Sequence, residues 1–255
     1  LQEDIQKLFL LNCQVPHERM SDLRAQMAAN RLGVTRLKEL CDKYSTETVL
    51  AAGRELMDYA ERKMRAGIAS IPDGTYRFSD LFDAESLREQ LEFSVTITVK
   101  GDEMHLDFVS PPQVRAGLNV VYTALLSTVY YAVKTVVDPT VLPNAGLARP
   151  IHVTAQKGTL LNCAHPAAVD GRIAACQRVV DLIHGALAQV VPHRVTAACN
   201  GSVAVASFSG TRADGSLWVY LETIGGGFGA RYNKDGLDGV HVHMTNTSNL
   251  PLESL

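Results

Sequence analysis

Paired cysteines are missing from this sequence. Its five cysteines, Cys13, Cys41, Cys163, Cys176 and Cys199, are odd in number, widely spaced and never in C-x-x-C spacing. That excludes a zinc ribbon and a thioredoxin-type motif, and leaves buried thiols in a cytoplasmic chain as the reading. Neither sign of charge dominates. The net charge is −3 and no basic run occurs, which excludes an electrostatic nucleic-acid mode. Long hydrophobic runs are absent too. The most apolar window, residues 118–137, is interrupted by Asn119, Thr123, Ser127, Thr128 and Lys134, so no membrane span is expected. Signal-peptide pattern, internal repeat and low-complexity segment are all lacking. So are the G-x-S-x-G nucleophile elbow, a dinucleotide-type G-x-G-x-x-G leading into a helix, and a phosphate loop ending in Lys-Ser/Thr. No spacing singles out Cys163, Cys176 or Cys199 as a nucleophile.

What is present reads as α followed by β. Apolar residues at helical spacing predict a short helix over 2–12, a long one over 17–44 and a third over 45–67, arranged as an antiparallel helical hairpin over residues 1–70. Pro72-Asp73-Gly74 is turn chemistry before a strand. Strict alternation over 91–100, a Gly101-Asp102 turn and a return strand over 103–109 predict a β-hairpin. Apolar helices are expected over 118–137 and 172–190, and short strands over 151–153, 159–162, 195–198, 202–209 and 218–224. The fold class is therefore α+β, with buried helices packed on a mixed, mostly antiparallel sheet over residues 71–255. The sequence opens inside an apolar periodic pattern and stops without a tail, so a piece of a longer polypeptide is expected.

The densest chemistry lies in LETIGGGFGARYNKDGLDGVHVHMTNTSNLPLE, residues 221–253. Gly225, Gly226, Gly227 and Gly229 would weaken a regular element, but they let a backbone approach closely. They are expected either at a tight strand exit or as an N–H cradle for an anion. Asp238, Asn246, Asn249 and Glu253 follow. His241 and His243, on a strand, would share one face and could meet a metal or substrate; solvent-facing histidines are the plainer alternative. Asp107 and His105 share a face of the hairpin.

Taken in order, DLRAQMAANRLGVTRL, IPDGTY, DFVSPPQVRAGLNV, LPNAGLARPIHV and ETIGGGFGARYNKDGLDGVHVHMTNTSNLPLE resemble the hydantoinase B / oxoprolinase family along essentially the whole chain. The resemblance implies a B-type subunit that hydrolyses a cyclic amide, such as a hydantoin or 5-oxoproline, after an A-type partner has phosphorylated it with ATP. Two alternatives stay open: a subunit of an ATP-dependent ketone carboxylase of the acetone or acetophenone type, and a non-catalytic scaffold of such a complex. It further implies a hetero-oligomer and a divalent metal. That metal's hard-donor ligands, including an H-x-x-D block, lie mostly outside this sequence, leaving none within it beyond the candidates His241 and His243. Matched position by position, the substrate-binding candidates are Arg24, Asp107, Gln113, Asn119, Gly225, Gly226, Gly227, Gly229, Asp238, Asn246 and Asn249. Gln26, Asn30, Asn144 and Gly146 also match. No residue is assigned as acid, base or nucleophile.

Overall fold

The computed structural model describes residues 2–13, 15–83, 87, 89–245, 248, 250 and 253. In order they form α1 (Glu3–Leu11), α2 (Pro16–Tyr44), α3 (Thr46–Ile68), β1 (Gly74–Phe82), β2 (Leu91–Lys100) and β3 (Glu103–Val109). Then come α4 (Tyr122–Val137), β4 (Ile151–Ala155), α5 (Arg172–Leu187), β5 (Ala204–Thr211) and β6 (Leu217–Ile224). The chain is α+β. None of the described helices is long and apolar enough to cross a membrane.

Two compact units emerge, one of Leu1–Glu55 with Ala206–Glu222, the other of Leu56–Val205 with Thr223–Leu255, so α3 and both ribbon strands cross a boundary. The second unit holds the core. Alternation in β2 turns Leu91, Phe93, Val95, Ile97 and Val99 inward, and β3 adds Met104, Leu106 and Phe108. β1 pairs antiparallel with β2, β2 antiparallel with β3, and β4 parallel with β3, in the order β1-β2-β3-β4. α5 packs on β1 and β2, and α4 packs on α5. Phe93 is fully buried and stacks on Phe82 at 5.2 Å. Truncating it to alanine is expected to cost about 3–5 kcal/mol.

α4 shows how a helix divides its faces. Leu125, Val129, Ala132, Val133 and Val136 are buried, while Ser127, Tyr130, Tyr131 and Lys134 face open cavities. Its start differs from the sequence expectation. Residues 118–121 stay outside the helix because Val120 donates to Leu160 O (2.7 Å) and accepts from Cys163 N (3.0 Å). Tertiary pairing outweighs apolar helical spacing there. The strands expected over 159–162 and 195–198 also do not form. Thr159 makes single bridges to Pro112 and Asn162, the latter only three residues away, and Thr196 makes one to Arg231. These segments turn before a ladder can propagate.

The first unit is local in its bonding. Pro16 opens α2 in the first turn, where a missing N–H costs nothing. The helix stops where Ser45 turns to φ +71°, and Ser45 Oγ accepts from Thr48 N (3.2 Å) at the head of α3. Surface ion pairs run along α1 and α2: Glu3–Lys7 at 2.7 Å, Arg19–Asp22 at 2.8 Å and Arg36–Glu39 at 2.8 Å. β5 and β6 form a two-stranded ribbon closed by a turn with Gly215 at φ +81°. No described residue of this unit is buried.

Candidate functional site

The glycine run closes on itself. Gly227 N–H donates to Val240 O (2.9 Å), Phe228 N–H to Leu237 O (2.9 Å) and Gly229 N–H to Ala198 O (3.1 Å). A side chain at Gly225 would place its Cβ 2.4 Å from Gly239 O, and one at Gly229 would meet Ala198 O at 2.7 Å. The glycines therefore let two backbone segments approach, and three of the N–H groups that could cradle an anion are already spent on carbonyls.

Beyond the run, the chain brings two histidines inside. Neither lies on a strand, since residues 241–244 are irregular and Met244 adopts φ +62°. The shared strand face expected from the H-x-H spacing is not formed, and both rings are buried rather than solvent-facing, at 2% exposure each. Their environments differ. His243 Nε2 lies 3.0 Å from Asp181 Oδ1, and its ring meets Phe228 (4.7 Å), His184 (5.3 Å) and Tyr131 (6.1 Å) edge-on. His241 has no hydrogen-bond partner on either ring nitrogen among the described residues. It lines an open cavity of about 680 Å³ with Ser127, Tyr131, Phe228, Val240, Val242 and Met244. Ser127 and Tyr131 also line a neighbouring cavity of about 900 Å³ that reaches Lys134 and Asn144. Mostly apolar walls with a few convergent polar groups are the usual make-up of a small-molecule site.

Behind His243, Asp181 and His184 stand on the inner face of α5, one turn apart. Asp181 Oδ1 accepts from Cys199 N (3.4 Å), and Cys199 Sγ lies 3.7 Å from Oδ2. His184 Nε2 is 3.1 Å from Thr135 Oγ1. Burial, then the neighbouring His243 ring, pulls the His184 pKa down to about 4 against the opposing pull of Asp181. Burial and the Asp181 carboxylate push the Cys199 thiol up, and burial raises Tyr131 although the Met244 backbone hydrogen-bonds its phenol. Asp181, His184 and Tyr131 escaped the sequence reading, and Cys199 was read there only as a buried thiol. The available signal was a charged residue and a histidine inside the apolar stripe of 172–190.

Among the described residues of the second unit, the other expected site residues are not gathered here. Asn119 is buried, accepts from Val114 N (2.8 Å) and donates to Val114 O, Ala116 O and Ala168 O. Gln113 exchanges two bonds with the backbone of Ala164. Both side chains are spent on tying loops together. Asp107 is exposed on β3 and accepts from Thr154 Oγ1, Asp238 is exposed, and Arg24 is exposed on α2 in the first unit. Gly226 packs against Asn200. Asn246 and Asn249 lie outside the described residues.

Comparison with known proteins assigns the chain to a family. The family model for hydantoinase B/oxoprolinase matches residues 1–255, and the chain belongs to that family. It is 37% identical over 96% of its length to the protein assigned as the B-type subunit of a D-/L-hydantoinase in Pseudomonas sp. (strain NS671), covering 43% of that protein. It is 33% identical over 76% of its length to the beta chain of the caprolactamase of Pseudomonas jessenii, covering 34% of it. The fold matches the crystal structure of ATP-dependent caprolactamase from Pseudomonas jessenii with a TM-score of 0.79, at 30% identity over 92% of this chain and 42% of that one. An acetone carboxylase structure matches in fold, with a TM-score of 0.81 at 17% identity over 95% of this chain and 35% of that one. The chain thus spans about two fifths of the length of the first of these relatives.

Proposed function

We propose that this chain is part of a hydantoinase B-type subunit that hydrolyses a cyclic amide activated by ATP on an A-type partner subunit or domain, in a cytoplasmic hetero-oligomer. The observation that carries this reading is His241, a buried imidazole with neither nitrogen paired among the described residues, on the wall of a cavity. A compact lactam ring presents one polar edge and an apolar body. Phe228, Val240, Val242 and Met244 suit the body, and His241 with the Ser127 and Tyr131 hydroxyls suits the edge.

The chemistry follows from the bond to be broken. An amide oxygen is a poor leaving group until phosphorylated, and the activated species must then be held away from bulk water. In this reading, the apolar walls exclude water, and the His241 ring turns one nitrogen toward the cavity to hold the polar edge by a hydrogen bond. ATP is bound by the partner, as the family resemblance implies. The divalent metal that the family resemblance implies draws on a hard-donor block this chain does not contain, and no step is assigned to it.

The test is the assembled complex with ATP and, in separate arms, 5-oxoproline, a hydantoin, or a ketone with bicarbonate. Ring opening coupled to ATP use is expected, and His241→Phe should lower turnover by about 100-fold while the fold is kept. Carboxylation of the ketone arm, or full turnover in the His241→Phe complex, would overturn the reading.

A further inference from the structure

Asp181, Cys199 and His243 come from α5, the loop before β5 and the turn after the glycine run. One carboxylate oxygen, the sulfur and one ring nitrogen all lie within 4.8 Å of one another, and all three residues are buried. His243 Nε2 lies 3.0 Å from Asp181 Oδ1, and Cys199 Sγ lies 3.7 Å from Asp181 Oδ2. Ligand atoms around a tetrahedral ion with bonds of about 2.0–2.3 Å sit roughly 3.3–3.8 Å apart, so the sulfur–oxygen separation already falls in that range and the nitrogen–oxygen one is a few tenths of an ångström short of it.

A second feature points to a ligand on the sulfur. Gly201 N–H is aimed at Cys199 Sγ at 3.3 Å, and the backbone of His243 supplies another hydrogen bond to it. A thiol is a weak acceptor, whereas a thiolate draws such donors. Charge completes the argument: a thiolate and a carboxylate side by side in a buried site need two positive charges. A divalent ion with a neutral imidazole supplies them.

We propose that Asp181, Cys199 and His243 form a binding site for a divalent ion of borderline softness, of the Zn²⁺ kind. The thiolate disfavours Mg²⁺ and Ca²⁺, which take oxygen ligands. On binding, the Cys199 thiol releases its proton to solvent, and His243 coordinates through Nε2 with its own proton on Nδ1. Asp181 also lines an open cavity of about 400 Å³, which provides the entry path. The site is separate from the exposed group of Glu103, His105 and His152 on β3 and β4.

The experiment uses the full chain, stripped with chelator and titrated with Zn²⁺ and with Co²⁺ as a spectroscopic probe. One bound ion per chain and a thiolate-to-Co²⁺ charge-transfer band are expected. Cys199→Ser should abolish the band and weaken Zn²⁺ binding by at least about 100-fold. Cys176→Ser and a His105→Ala/His152→Ala variant should retain both. If Cys199→Ser does not fold, alkylation mapping on the unmutated chain decides instead: Zn²⁺ should protect Cys199 selectively. No band and no protection would overturn the proposal. So would binding that is lost only in the His105→Ala/His152→Ala variant, and the three side chains would then be a hydrogen-bonded cluster alone.

Discussion

The glycine run and the histidine pair that follows it are neighbours in sequence and opposites in bonding. Across Gly227–Gly229 the backbone donors end on carbonyls of facing segments, so polarity is consumed in holding the chain together. At His241 it is left over, with two ring nitrogens inside the protein and no partner among the described residues. The lesson is about where to look for chemistry: a stretch can be rich in functional-looking residues because its backbone packs tightly, whereas leftover polarity in a buried position calls for an explanation of its own.

The sharpest way to break the first half of that comparison is Gly225→Val. Its Cβ would meet the backbone at Gly239 and Val240 rather than a movable side chain, so a loss of more than about 3 kcal/mol is expected in denaturant unfolding. Asn119→Ala comes next. It strands Val114 N–H and three carbonyls that the amide now serves, and should cost about 2 kcal/mol in thermal melts.

A smaller effect concerns Asp138. Partial burial pushes its carboxyl up, but Lys63 and the hydroxyl and amide of Thr140 outweigh this and hold it at about 2, below its ordinary 3.8. Because the folded-state value is depressed, its stabilisation is present above pH 3.8 and fades as pH falls toward 2. Asp138→Asn should therefore lower the melting temperature near neutral pH and leave it nearly unchanged at the acid end. The smallest change sharpens the second half of the comparison. His241→Phe removes unpaired polar atoms from the interior, and its stability should shift by less than about 0.5 kcal/mol, or rise. A large loss would mean that His241 has structural partners after all.

Much of the scaffold was legible because local periodicity and burial agree there. β2 and β3 follow strict alternation, and the Gly101-Asp102 turn sets their register, so their bounds match the expectation. The head of α4 was illegible because Leu160 and Cys163, some forty residues on, hold Val120 out of the helix. The site was legible only in part. His241 and His243 were picked out as residues, but a left-handed Met244 and the absence of a ladder send their rings to different surroundings, which two-residue spacing could not reveal. Asp181 and His184 were masked by the apolar helix that carries them. Asn119 and Gln113 matched a family block, yet their amides tie their loop to the backbone of Ala164 and Ala168.

The bonding of the first unit also sets how it moves. Since none of its described residues is buried, α2 draws its order from hydrogen bonds within itself and from ion pairs one turn apart. Helices held that way open by fraying, without waiting for a core to come apart. In the isolated chain, amide deuterium uptake should run through α2 within the earliest time points, while the β2–β3 hairpin remains protonated until the whole second unit unfolds.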